Sequence, residues 1–190
     1  MKLQSKCFSI ISMLFLFALS AFAQQAPPQR PCDTPQGKQL DFWLGEWELT
    51  WPAEQWGGTK GELGKGSNSI SKILDNCIIQ EEFRFPKGNF DGHSVSVYSA
   101  KTKKWQQTWV DNQGSYLLFT GEFKEGKMIL QTAPFERNGQ TFISRMVFKN
   151  ISENILDWDW QRSGDDGQTW TDIWNIHYER KKNSHTDQNL

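Results

Sequence analysis

Several polar side chains sit where strand alternation would bury them. In CIIQEEFRF (77–85), Cys77, Ile79, Phe83 and Phe85 share one side of a strand with Glu81, whereas Gln80, Glu82 and Arg84 share the other. A carboxyl on an apolar face is costly to ionise, so its pKa rises and it suits general acid/base work or ligand anchoring. In KWQQTWVD (104–111) the same period groups Trp105, Gln107, Trp109 and Asp111, joining indole faces to polar heads as a cavity wall does. Arg145 stands between Ile143 and Val147 and is the natural inward partner for Glu81. That pair reads either as a structural ion pair or as a ligand anchor.

Later segments extend the pattern. Leu156, Trp158 and Trp160 oppose Ile155, Asp157 and Asp159, and Trp170, Asp172, Trp174, Ile176 and Tyr178 alternate together, which places His177 on the other side with Ile173 and Asn175. Tyr98 shares a side with Ser94 and Ser96, whose small side chains leave room beneath its ring, while His93 follows Asp91-Gly92 and reads as a loop-edge histidine. The expected ligand-binding set is therefore Glu81, Tyr98, Trp105, Gln107, Trp109, Asp111, Arg145, Trp158, Trp160 and Trp174. His93, His177 and His185 are dispersed, so no metal site is expected, and no phosphate loop, dinucleotide fingerprint or G-x-S-x-G elbow occurs. No cofactor is expected, and no residue stands out as a nucleophile.

Such residues need a frame of strands. Period-two runs fall at 46–51, 67–74, 77–85, 93–100, 104–111, 116–123, 128–133, 141–150, 155–162 and 169–180, about ten in all. One helical turn is expected at 39–44, because Leu40, Trp43 and Leu44 share a helical face, and a Gly-rich loop at 57–66. Short connectors rich in Gly, Asn and charge join successive strands, and Asn138-Gly139 is the strongest hairpin signal among them. A ten-strand antiparallel meander with so little helix hides its edges best by closing into an up-and-down barrel, with a β-sandwich as the alternative. The fold class is all-β, and closure leaves room inside for a small ligand.

The ends of the chain speak of export. Lys2 and Lys6 precede an apolar run from Phe8 to Ala18, and Ala21-Phe22-Ala23 follows, so residues 1–23 read as a signal peptide cut after Ala23. A Pro-rich extended leader (24–36), one barrel domain (37–181) and a polar, disordered tail (182–190) would follow, giving a periplasmic or secreted protein. In that oxidising space Cys32 and Cys77 are expected to form a disulfide, Cys7 having left with the signal. A net charge of −1 that becomes more acidic on cleavage argues against a nucleic-acid partner, and no second apolar run is long enough for a membrane span.

Two local resemblances and one extended one add to this. SGDDGQTW (163–170) resembles the Asp-box of sialidase propellers, a turn in which Asp165 would hold backbone donors and Trp170 would pack beneath; as a single copy it implies a structural role. DFWLGEWELTW, NCIIQEEF, the run HSVSVYSAKTKKWQQTWVDNQGSYLLFTGEF and the final HYERK together resemble the bacterial domain of unknown function family 1579 over roughly 38–181, which implies a lipocalin-like, calycin-type barrel without an established activity. DFWLGEW also resembles the opening of nitrobindin-type haem barrels, for which His177 is the positional candidate ligand, although its alternation points it outward. Three functions fit: an exported carrier of a small apolar or aromatic ligand; a barrel isomerase, hydratase or lyase with Glu81 or Asp111 as general acid/base; or a glycan-binding module with several indoles in one exposed plane.

Overall fold

The computed structural model describes residues 28–182. The expected signal peptide, the start of the leader, and the tail beyond 182 with His185 lie outside the described residues. Eleven strands follow in order: β1 Gly45–Pro52, β2 Leu63–Ile73, β3 Ile78–Phe85, β4 Phe90–Ser99, β5 Lys104–Asp111, β6 Tyr116–Lys124, β7 Lys127–Gln131, β8 Phe135–Arg137, β9 Gln140–Lys149, β10 Ile155–Ser163 and β11 Thr171–Arg180. Neighbours from β1 through β7 pair antiparallel, β7 pairs with β9, and β9, β10, β11 and β1 complete the ring. Ten strands thus close a barrel, which removes every edge that an open sheet would present.

The additional strand, β8, stands outside the ring as a short hairpin on β9, with Phe135 opposite Phe142. Its turn is Asn138-Gly139, with φ of 53° and 75°, the double positive φ that the sequence signal demanded. The β1–β2 connection departs from expectation, because strand β2 already begins at Leu63, inside the presumed Gly loop. Gly64 and Gly66 lie under the buried Trp51 indole, and a Cβ on Gly64 would collide with the Trp51 ring nitrogen. Glycine in this strand therefore marks the close approach of a large side chain rather than a loop.

The leader also differs from an extended arm over its described part. Residues Pro31–Asp33, Gln36–Lys38 and Asp41–Trp43 wind into three successive 3-10 turns, the last being the expected helical turn. Cys32 is buried and bonded to Cys77 in the β2–β3 turn, with Cα atoms 4.9 Å apart. Leu40 and Trp43 then enter the barrel, where Trp43 meets Phe148 edge-on at 5.0 Å between ring centroids, and Phe42 packs beside Phe123 and Phe148. Arg180 clips the segment in place by donating to the Leu44 carbonyl at 2.7 Å while its guanidinium lies 4.1 Å over the Trp47 ring. One end of the barrel is plugged by this segment, and the interior is left open toward the other.

Candidate functional site

The open end receives the C-termini of β1, β3 and β5 and the N-termini of β4, β6 and β11, and between them lies a cavity of about 570 Å³. Its walls are aromatic. Phe83 stands at the centre of a ring cluster, 5.7 Å from Trp174, 5.8 Å from Phe90 and 6.2 Å from Trp109. Trp158 and Trp160 stack with an interplanar angle of 6°, and Trp158 meets Trp174 edge-on. Leu117, Phe119, Met146, Ile173 and Ile176 add to the apolar lining, and Trp43 closes it from the plug side. At the mouth the Ala53–Trp56 turn brings Trp56 against Phe90 and Trp174, tied down by Gln55, whose amide donates to Asn175 Oδ1 at 2.8 Å.

Local chemistry sets the two carboxyl groups of the lining. Asp111 ends β5 and folds the next turn by accepting from the backbone N–H groups of Gln113 and Ser115, both at 3.0 Å, and from Trp109 Nε1 at 2.9 Å. Partial burial pushes its carboxyl up, but the hydrogen bonds from Trp109, Ser115 and Gln113 outweigh that and hold it below the ordinary carboxylate value. The Trp109 indole in turn needs Gly92 on the neighbouring strand, since a Cβ there would strike its six-membered ring.

Glu81 lies deeper, on β3 between Ile79 and Phe83. Its Oε1 accepts from Asn68 Nδ2 at 2.7 Å, and its Oε2 accepts from the Ser94 hydroxyl at 2.6 Å. Asn68 Nδ2 also donates to the Tyr178 hydroxyl at 3.2 Å, and Gln107 Nε2 donates to Ser94 and Ser96 at 3.2 and 3.0 Å. Burial raises the Glu81 carboxyl to about 7 despite the hydrogen bonds from Ser94 and Asn68. Burial, and next the neighbouring Glu81 charge, push the Tyr178 phenol upward as well.

Of the expected residues, Glu81, Trp109, Asp111, Trp158, Trp160 and Trp174 all border the cavity. Gln107 is buried one layer behind, in the network under Glu81, and Trp105 packs with Tyr98 at 5.9 Å away from the lining. Arg145 does not meet Glu81. It sits on the outer face, donating to Gln161 Oε1 at 2.6 Å with its guanidinium 3.8 Å over Trp170, because Ser144, Met146 and Phe148 take the inner face of β9. Trp170 and Asp172 are likewise outside. Trp160 pairs with Trp174 but Gln161 with Asp172, so Ile173 is an extra bulged residue that inverts the alternation on its N-terminal side.

Beyond the bulge the register is regular, and His177 points outward with Nδ1 2.7 Å from Asp157 Oδ1. His93 is a strand residue alternating with the inward Ser94, not a loop-edge one, and neither histidine borders the cavity, so the haem ligation that the opening motif implied does not fit. The exposed indole plane of a glycan module does not form either, since Trp56 alone of the ten indoles is exposed. The Asp-box is a turn device, as its single copy suggested. Asp165 accepts from Ser163, from Thr169 Oγ1 and from the Thr169 backbone, and Trp170 Nε1 reaches the Gly167 carbonyl at 3.0 Å. These bonds hold the Asp165 carboxyl down at about 2.

Sequence reasoning missed Trp43, Trp56, Phe90, Phe119 and Met146 in the lining and Asn68 in the polar network. Asn68 had a signal: it alternates with the buried Ile70 in SNSIS. Trp56 had none, because a residue in a turn carries no strand period.

Fold and cavity together define a lipocalin-like antiparallel barrel, plugged at one end and open to an aromatic interior at the other. The chain belongs to the family described as protein of unknown function DUF1579, whose model matches residues 34–180. No curated protein matches the chain.

Proposed function

We propose that the protein is exported and carries a small apolar or aromatic molecule in this cavity. The observation that carries the reading is a preformed 570 Å³ interior, closed at one end and walled by indole and phenyl rings with a single carboxyl at its floor. Trp109, Trp158, Trp160 and Trp174 supply the walls, Glu81 and Asp111 the polar anchors, and Gln107, Trp105 and Tyr98 support them from behind. The neutral dye N-phenyl-1-naphthylamine is expected to gain fluorescence on binding, and Trp109→Ala to weaken that binding roughly tenfold with the fold retained by far-UV circular dichroism. Absence of dye binding, or identical affinity in the variant, would overturn the assignment.

Export is supported by the N-terminal apolar run and by the Cys32–Cys77 bond; among the described residues no helix is long and apolar enough to cross a membrane. N-terminal sequencing of the protein from a cell-free exported fraction is expected to begin near Gln24. A chain beginning at Met1 there would refute cleavage.

One observation favours a second reading, an isomerase, hydratase or lyase: the Glu81 carboxyl titrates at about 7 at the cavity floor, matched to general acid/base work at neutral pH. Under it Glu81→Gln abolishes turnover of a substrate, whereas a carrier has no turnover to lose.

A further inference from the structure

The cavity is chemically one-sided. Its lining holds two carboxyl groups, Glu81 and Asp111, and no Lys, Arg or His. A deeply buried acid ordinarily has a cationic partner or a metal. Here Arg145 lies on the outer face, and every group that faces Glu81 is neutral: Asn68 on β2, Ser94 on β4, Gln107 behind Ser94 on β5, and the Tyr178 hydroxyl on β11.

The same network is short of donors. Asn68 Oδ1 and Gln107 Oε1 are buried with no hydrogen-bond partner, and each Glu81 oxygen accepts a single bond although it has lone pairs for two. The rings of Phe83, Trp109 and Trp174 line the same cavity. Asp111, held ionised at the mouth, adds a second negative charge. An anionic ligand would be repelled by the two carboxylates. A cation with hydrogen-bond donors complements them and meets the unused lone pairs of Glu81.

We propose that the cavity takes an ammonium ligand, a primary amine on an apolar or aromatic body, with the charged head against the Glu81 carboxylate and the body among the indoles. The inference rests on the cavity being a ligand site and adds the chemical class of its ligand. Because Glu81 is about half protonated near pH 7, seating an ammonium expels that proton, while the amine enters already charged.

Isothermal titration of the mature chain with 2-(2-naphthyl)ethylamine, 2-(2-naphthyl)ethanol and 2-naphthylacetate compares one body with three heads. The ammonium is expected to bind at least ~10-fold tighter than the alcohol, and the carboxylate weaker than the alcohol. Glu81→Gln should collapse the ratio between ammonium and alcohol affinities to about twofold or less, since the pair no longer carries opposite charges. A readout on the wild type guards against a misfolded variant: in phosphate and imidazole buffers at pH 7, ammonium binding should release about half a proton per site and alcohol binding none. Equal affinities for ammonium and alcohol with no proton release would overturn the ammonium assignment and leave the carrier reading standing. If none of the three binds, both fall.

Discussion

Trp43→Ala is expected to cost about 3–5 kcal/mol of stability, seen as a lower urea midpoint at an unchanged slope. Trp43 is 1% exposed and fills the junction between the N-terminal plug and the barrel. Its ring meets Phe148 at 5.0 Å, and its backbone carbonyl takes the indole N–H of the equally buried Trp47 at 2.8 Å. Truncation leaves an indole-sized void that cannot collapse, because the disulfide from Cys32 to Cys77 and the Arg180 bond to Leu44 hold the segment in place. The void also opens the inner end of the cavity, so the variant should gain volume where the ligand sits. A loss below about 1 kcal/mol would show that the plug is not part of the core.

The second large effect is a pH dependence that one substitution removes. Glu81 titrates at about 7 in the folded protein against an ordinary value of 4.5, burial being the main cause. The folded state thus holds the proton more tightly than the unfolded chain. Relative to Glu81→Gln, the wild type is most stable below about pH 4.5, loses that advantage as pH rises toward 7, and levels off above it. The total change is roughly 3 kcal/mol, the order expected for a shift of this size in a fully buried group. Denaturation midpoints of both proteins from pH 4 to 8 test it. Parallel curves would mean that Glu81 is ionised or solvated throughout. Asp165 works in the opposite sense: its lowered carboxyl supports the Asp-box turn at all ordinary pH values and loses that contribution only as pH falls toward 2.

Much of this site was legible in the sequence. The side shared by Ile79, Glu81, Phe83 and Phe85 is the buried side of β3, and Trp105, Gln107, Trp109 and Asp111 face the barrel interior together. Both readings succeeded because β3 and β5 are regular from end to end. The error at Arg145 had a different source: the face it shares with Ile143 and Val147 looked apolar, but the opposite face, with Ser144, Met146 and Phe148, is the one turned inward. Apolar content alone could not choose between them, since each face carries bulky hydrophobic residues.

Ten strand segments, the faces shared within β3 and β5, the Asn138-Gly139 turn and the self-bonded SGDDGQTW loop were all legible in the sequence. These are consequences of local sterics and hydrogen bonding, which act over a few residues. Packing between distant segments closed β11 on β1 and β9 on β7, began β2 at Leu63, added β8, seated residues 31–44 in one end and brought Trp56 to the mouth. It also placed the bulge at Ile173 that sends Trp170 and Asp172 outward while Trp174 stays in. Alternation reports relative facing with a period of two and carries no memory of which side is the interior, so ring closure and one extra residue settle what the pattern leaves open.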